Sequence, residues 1–202
     1  MQKKPIKIGQ ESYSHQMEQE IYQKMKERTF VLIKHDGVAK GLIGEIISRF
    51  ERIGLKIVGL KMLLVDEELA KNHYKVTKEW ATNLFDKSKK AAEKNGKKFP
   101  FKDSIEYGKM IQVWNQEYLR EGPIVAIVFE GPHAVEIIRK MVGHTEPRQA
   151  LPGTIRGDYI IDSYDFADRH KRSIRNLIHA SENLQEADRE IGLWFKKEEL
   201  VH

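Results

Sequence analysis

The residues of this chain best suited to chemistry sit at the ends of short apolar runs rather than in one dense motif. Lys34 follows the run Thr29 to Ile33, and Arg139 lies in the stretch 132–141. Thr145 and Arg156 fall in a glycine- and proline-rich loop, and Arg175, Asn176, His179 and Ser181 share one short segment. Guanidinium groups bind phosphate oxygens in pairs, and a neutral imidazole can attack phosphorus. Cations and hydroxyls beside one histidine therefore suit a polyphosphate ligand. Each residue also has a plainer use. His179 follows two apolar residues and reads as a structural histidine, Arg139 as a helix surface charge, Thr145 as a turn hydroxyl and Lys34 as a strand-end charge. Residue types alone reach a phosphate site without choosing between these uses.

Absences narrow the field. No G-x-x-x-x-G-K-[ST] is present, and Gly41-Leu42-Ile43-Gly44 lacks both the lysine and the spacing of a P-loop. There is no G-x-G-x-x-G and no G-x-S-x-G. With no cysteine in 202 residues, a disulfide scaffold, a zinc finger, an iron–sulfur centre and a cysteine nucleophile are excluded. The eight histidines show no H-x-x-x-H spacing, so no built-in metal site is expected. Apolar residues make up 40% and charged residues 32%, a globular composition of one domain with room for insertions. No apolar run approaches the roughly 18–20 residues of a spanning helix, so no membrane partner is expected. The polar start MQKKPIKIGQ lacks an apolar signal core, and the expected location is the cytoplasm. A net charge of +5 fits either a mixed solvated surface or an anionic partner.

The elements that must position these groups follow from periodicity. Residues 1–27 are polar and read as an N-terminal extension, the domain proper being 28–202. Thr29 to Ile33 is a buried strand. Ile43, Ile46, Ile47 and Phe50 share a helix face that Gly54 can close, and Leu55 to Val65 is a second strand. Asp66 caps a short helix to Tyr74. Residues 75–100 are lysine-rich and weakly periodic. Tyr107, Met110, Ile111, Trp114 and Tyr118 mark a helix after Asp103, and Ile124 to Phe129 is a central strand. Pro132 opens a helix whose buried face is Ala134, Ile137, Ile138 and Met141. Residues 142–157 read as a long loop, Asp158 to Ile161 as the last strand, and Asn183 to Ile191 as a helix. The expected class is α/β (α+β): a ferredoxin-like βαββαβ sandwich, a four-stranded, mostly antiparallel sheet with helices on one face, plus helical insertions.

The strings themselves carry a resemblance. RTFVLIKHDGV, KGLIGEIISRFERIGLKIVGLK, GPIVAIVFEG, GHTEPRQALPGTIRGDY, RNLIHASEN and EIGLWF run in order from Arg28 to Phe195. Together they resemble the nucleoside diphosphate kinase family. The resemblance implies a ping-pong phosphotransferase that passes the γ-phosphoryl group from a nucleoside triphosphate to a nucleoside diphosphate through a phosphohistidine. It implies Mg²⁺ as cofactor, held mainly by the nucleotide phosphates. It implies His179 as the nucleophile, Glu190 as the holder of its other nitrogen, Ser181 just after it, and Tyr74 beside it. It implies Lys34 and Asn176 at the ribose hydroxyls and nearby phosphate, and Arg139, Thr145 and Arg156 as the phosphate clamp. It implies a homo-oligomer, with a hexamer favoured over a tetramer or dimer.

The chain departs from that pattern in places. His35 stands where the family has proline in K-P-D-G-V, and Glu182 where H-x-S-D is usual. About 76–119 and 162–174 are longer than in compact members, and Trp80 or Phe85 is the expected stacking partner of the base. Two other readings compete. A nucleic-acid-binding module would need exposed aromatics on its central strands, whereas IVAIVF looks buried, leaving nucleic acid only as a side activity of the lysines in 86–98. A regulatory protein with a blocked site would bind nucleotide and form no phosphohistidine.

Overall fold

The alternation of apolar residues in two long strands builds the frame. In the computed structural model, which describes Met17, residues 20–94, Gly96 and residues 98–201, the strands are β1 (Lys26–Ile33), β2 (Lys56–Leu63), β3 (Ile124–Pro132) and β4 (Ile178–Ala180). They form one sheet in the order β2-β3-β1-β4, antiparallel at every pairing. The side chains of Val31, Ile33, Val125, Ile127 and Phe129 enter one core, and those of Phe30, Leu32, Ala126 and Val128 enter another. That is the period of two expected of a strand, here with both faces buried.

Among the described residues, the α-helices after β1 are α1 (His35–Ala39), α2 (Ile43–Glu51), α3 (Glu67–His73), α4 (Lys78–Lys94), α5 (Ser104–Arg120), α6 (Ala134–Val142), α7 (Ile155–Tyr159), α8 (Tyr164–Arg169) and α9 (Leu184–Trp194). Ile46 and Phe50 of α2 and Ile138 of α6 fill the first core. Ala70 of α3, Leu119 of α5 and Trp194 of α9 fill the second. The ferredoxin-like sandwich holds, but helices cover both faces of the sheet rather than one. Central strands such as β3, buried along eight of nine residues, require cover on both sides.

Other local expectations change. Asp158 to Ile161 is not a strand. The Thr154 side chain accepts from Gly157 N–H and starts α7, and Ile161 ends fully exposed. The last strand is β4, whose three-residue run is interrupted by His179 and so carries no strand signal. Pro132 closes β3, and His133, in left-handed conformation at φ 53, precedes α6. The lysine-rich stretch contains α4, because lysine is a good helix former and a narrow stripe including Ala81 and Phe85 suffices to pack it. The reading of residues 1–27 as an extension falls largely outside the described residues, but Lys26 and Glu27 already belong to β1.

Gly157 sits in α7 where the chain turns against Leu151, and a Cβ there would collide with the Leu151 carbonyl oxygen. A backbone oxygen cannot swing aside. Gly157→Ala should therefore lower stability by about 1–3 kcal/mol, read as a fall in the urea midpoint, and an unchanged midpoint would show that the loop re-forms freely.

Candidate active site

The backbone just before β4 organises the site. Leu177 has φ 64, and Ile178 N–H donates to the Asn176 carbonyl at 2.7 Å. This three-residue turn at positive φ is rare and strained, by about 1–3 kcal/mol. Its neighbours hold it. Lys34 N–H donates to the Leu177 carbonyl at 2.7 Å, and Leu177 N–H donates to Asp36 Oδ2 at 3.2 Å. The Tyr118 hydroxyl accepts from Asn176 N–H at 3.1 Å and donates to Asp36 Oδ2 at 2.7 Å. Arg156 donates to the carbonyls of Asn176 (3.2 Å), Gly143 (2.9 Å) and Ile178 (2.6 Å). Gly37 lets α1 press close, since a Cβ there would lie 2.9 Å from Ile33 and 3.2 Å from the Leu177 carbonyl.

β4 then presents His179 opposite Leu32. Its Nε2 lies 2.8 Å from Glu190 Oε1, and Glu190 Oε2 accepts from the Ser181 hydroxyl at 2.6 Å. Burial pushes the Glu190 carboxyl up. The charge of His179, the hydrogen bonds from His179 and Ser181 and the nearby Arg189 outweigh it, so the group lies below the usual carboxylate range. A carboxylate only accepts. Nε2 of His179 therefore carries the proton, and Nδ1 keeps the lone pair that a nucleophile needs. Tyr74 stands nearby, its ring centroid 6.5 Å from that of His179, and burial followed by the Glu190 charge pushes its hydroxyl pKa up. At neutral pH Tyr74 is a neutral donor.

Lys34 is buried. Its Nζ donates to Asn176 Oδ1 at 2.9 Å and lies 4.5 Å from the centre of the Tyr118 ring. Asn176 Nδ2 donates in turn to the Thr145 carbonyl at 3.1 Å. Eight of the nine site residues that the resemblance implies line one cleft of about 1070 Å³. The ninth, Ser181, is fully buried and reaches the site through its bond to Glu190. Trp80 also lines the cleft, whereas Phe85 meets Phe99 and Tyr107 edge-on, with centroids at 5.1 and 6.2 Å, and is not part of its lining. Arg156 has two of its five N–H groups left for a ligand, the other three being held by carbonyls.

Some functional neighbours escaped the sequence reading. Tyr118 showed only as part of a helix face, and nothing in its spacing announced its bond to Asp36. His73 is buried with its ring edge-on to His179, centroids 4.7 Å apart. Trp194 Nε1–H donates to His73 Nδ1 at 3.2 Å. Burial, then His179, Arg189 and Lys34, hold its pKa well below the usual histidine value, so it is neutral. His73, His179 and Glu190 offer ligand atoms within 4.8 Å of one another, a cluster that the linear spacing of histidines could not reveal. Across the cleft, Ser173 Oγ donates to Asn115 Oδ1 at 2.6 Å, and Asn115 Nδ2 donates to Gln112 Oε1 at 3.2 Å. The segment before β4 and α5 are thereby joined at the wall of the cleft.

Comparison with known proteins bears on this geometry. The profile described as nucleoside diphosphate kinase matches residues 27–96 and 105–200. A nucleoside diphosphate kinase of Pyrobaculum aerophilum is 46% identical over 179 residues, covering 87% of this chain and 98% of the relative. The crystal structure of an NDP kinase from that organism superposes with a TM-score of 0.83 at 44% identity, over 88% of this chain and 100% of the other. A nucleoside-diphosphate kinase from Borrelia burgdorferi, solved as a transition state mimic with bound vanadate and ADP, gives a TM-score of 0.71 at 37% identity, over 89% and 92% of the two chains.

The buried lysine yields a pH test. Burial foremost, then the charges of Arg156 and Arg175, lower the Lys34 pKa from 10.5 to about 7, with Asp36 opposing. Between those values the unfolded chain holds the proton and the folded chain releases it, so stability rises with pH across that window. Lys34→Met lacks this contribution. Urea midpoints at pH 7, 8.5 and 10 should show wild type gaining on the variant as pH rises, and a pH-independent gap between the two contradicts a buried, destabilised ammonium.

Proposed function

The chain belongs to the nucleoside diphosphate kinase family, and from that premise we propose that His179 Nδ1 is the atom that carries the phosphoryl group. The reaction moves the terminal phosphoryl group of a nucleoside triphosphate to a nucleoside diphosphate in two half-reactions. In the first, the Nδ1 lone pair attacks the γ-phosphorus, a P–N bond forms, and the bond to the β–γ bridging oxygen breaks with its electron pair leaving on the nucleoside diphosphate. In the second, a terminal oxygen of another nucleoside diphosphate attacks the phosphohistidine and the electron pair returns to Nδ1. The observation that carries the assignment is the bond between His179 Nε2 and Glu190 Oε1 at 2.8 Å. It pins the proton to the far nitrogen and opposes the positive charge that the phosphorylated ring acquires.

The remaining roles are those the resemblance implies, and the shared cleft supports them. Lys34 and Asn176, already bonded to each other, are assigned to the ribose hydroxyls and the adjacent phosphate. Arg139 and Thr145 are exposed toward the cleft and are assigned to the phosphates with Arg156. Tyr74 donates from beside the histidine. Transfer of this kind needs in-line placement and neutralised charge more than covalent help. Bound Mg²⁺ supplies part of that neutralisation on the phosphate oxygens. Among the described residues, the single potential ligand cluster is His73, His179 and Glu190, which is rich in nitrogen. Magnesium prefers oxygen, so the donor set fits a cation that is carried by the nucleotide.

We further assign the kinase domain to the residues from Lys26, where β1 begins, to 202, two residues earlier than the expected 28, the residues before it to an N-terminal extension, and the segments at about 76–119 and 162–174 to insertions. None of the helices among the described residues is long and apolar enough to cross a membrane, and a cytoplasmic location is proposed. The outer edge of β2 carries exposed Leu60 and Met62, with exposed Leu64 just beyond its end, a surface that favours pairing with a second copy. We propose dimers through that edge and a hexamer built from them, with a tetramer or the dimer alone as the alternatives. Residues 86–98 hold six lysines against Asp86 and Glu93. That concentration supports salt-sensitive nucleic-acid binding as a side activity.

Incubation with γ-labelled ATP and Mg²⁺ should give an acid-labile, base-stable label that moves to GDP. His179→Ala should bind nucleotide and take no label, and steady-state transfer by that variant would sink the assignment. EDTA should abolish labelling of wild type. Arg139→Ala should lower turnover about tenfold to a thousandfold and leave the urea midpoint near wild type. Arg156→Ala should lower both, because it also releases three carbonyls; loss of neither property would remove Arg156 from the site.

A further inference from the structure

His35 occupies the place where the resemblance expects a rigid proline, immediately after Lys34. Its ring does not point to solvent. His35 Nε2 lies 2.8 Å from Arg175 Nη1 and 2.9 Å from Glu121 Oε2. Arg175 itself grips Glu121, Nη1 to Oε2 at 2.6 Å and Nη2 to Oε1 at 2.7 Å. The His35 ring stands edge-on to Tyr118, centroids 5.3 Å apart, and the Arg175 guanidinium lies 4.4 Å from the centre of the same Tyr118 ring. The chain at Gly122 passes so near that a Cβ there would lie 3.2 Å from His35 Cβ.

The arrangement forms two consecutive rungs between the same two segments. Lys34 bonds to Asn176 through Nζ and Oδ1 at 2.9 Å. One residue along each segment, His35 meets Arg175. A proline would limit the backbone after Lys34 by its ring; here a side-chain bond across to the neighbouring segment replaces that limit. Glu121, at the end of α5, braces the second rung from a third segment. We propose that His35 is a positioning residue: its bond to Arg175 sets the separation of the Lys34 and Asn176 segments and so holds those two side chains in register for the nucleoside diphosphate. The inference rests on the assignment of Lys34 and Asn176 to nucleotide binding.

The protonation state follows from the groups that face the ring. Glu121 and Tyr118 face it from α5, Arg175 from the segment before β4, and Lys34 and Asp36 from its own turn. Burial, with Arg175 and Lys34, lowers its pKa from the usual histidine value, against the pull of Glu121 and Asp36. In the neutral tautomer with its proton on Nδ1, the ring accepts an N–H of Arg175 at Nε2, and Arg175 Nη1, which also binds Glu121 Oε2, offsets the contact between that oxygen and the ring nitrogen. The imidazolium has no lone pair to offer and repels the guanidinium, so acid breaks the rung on the Arg175 side and leaves the ring to Glu121.

Calorimetric binding of a nucleoside diphosphate to the full chain tests this without relying on His179. His35→Ala should weaken binding about tenfold, the scale of one charged hydrogen bond, while single-turnover phosphorylation at saturating ATP stays within about twofold of wild type. His35→Gln, which keeps an acceptor, should recover most of the affinity. Arg175→Ala should weaken binding similarly, and the double variant should be no worse than either single one. Wild-type affinity should fall on the acid side of the usual histidine value more steeply than that of His35→Gln. Unchanged affinity in His35→Ala, full additivity with Arg175→Ala, or matching acid limbs in wild type and His35→Gln would each overturn the proposal. Should wild type bind the diphosphate but form no phosphohistidine, the catalytic assignment fails while the binding comparison still decides the role of His35.

Discussion

The left-handed backbone at Leu177 is the constraint around which the cleft is arranged. A leucine at φ 64 is unfavourable in isolation, and it persists because the surrounding groups over-determine it. Lys34 and Asp36 bond to the two sides of the Leu177 peptide, and Arg156 bridges the carbonyls on either side of the turn. The turn rotates the chain so that Asn176 faces Lys34 and Thr145 while His179, three residues on, faces Glu190. A relaxed extended backbone at Leu177 would send these side chains to other faces, because side chains alternate along a strand.

Charge sets the second condition. Lys34 and Arg156 are both buried, and burial lowers the pKa of each, to about 7 and about 10. Burying a cation is costly; Asp36 and the Asn176 side chain offset part of that cost at Lys34, and three carbonyls do so at Arg156. Glu190 works in the opposite sense. It is a buried carboxylate kept ionised by His179 and Ser181, and it bonds to the Nε2 side of the His179 ring, away from Nδ1.

The helices beyond the common sandwich do more than enlarge the molecule. α5 supplies Tyr118, which ties Asp36 to Asn176, and Asn115, which accepts from Ser173 across the cleft. α4 places Trp80 in the wall and turns Phe85 toward Phe99 and Tyr107. The part of the chain with the weakest sequence pattern thus shapes the region where a base would lie. Its pattern is weak because α4 packs on α5 through a narrow stripe, and lysines occupy the rest of its surface.

The sequence alone determined the long apolar strands β1 and β3, the amphipathic α2, α5 and α6, and the set of polar residues that ends in the cleft. These are legible because burial imposes a period of two or 3.6 on apolar residues, and because the strings around Asn176, His179 and Arg156 are specific. Only the tertiary structure decided that β4 is the short run holding His179 and that helices cover both sheet faces. It also decided which of two aromatics reaches the cleft, and that His73 stands against His179. Those features depend on contacts between residues distant in sequence. A three-residue edge strand has too few positions to show a period, and a buried histidine looks the same in sequence whether its neighbour is a nucleophile or a tryptophan. The replacement of proline by His35 was visible as a departure; that Arg175 and Glu121 hold it is a property of the folded chain, because the three residues meet only when the loop after β1, the end of α5 and the turn before β4 are brought together.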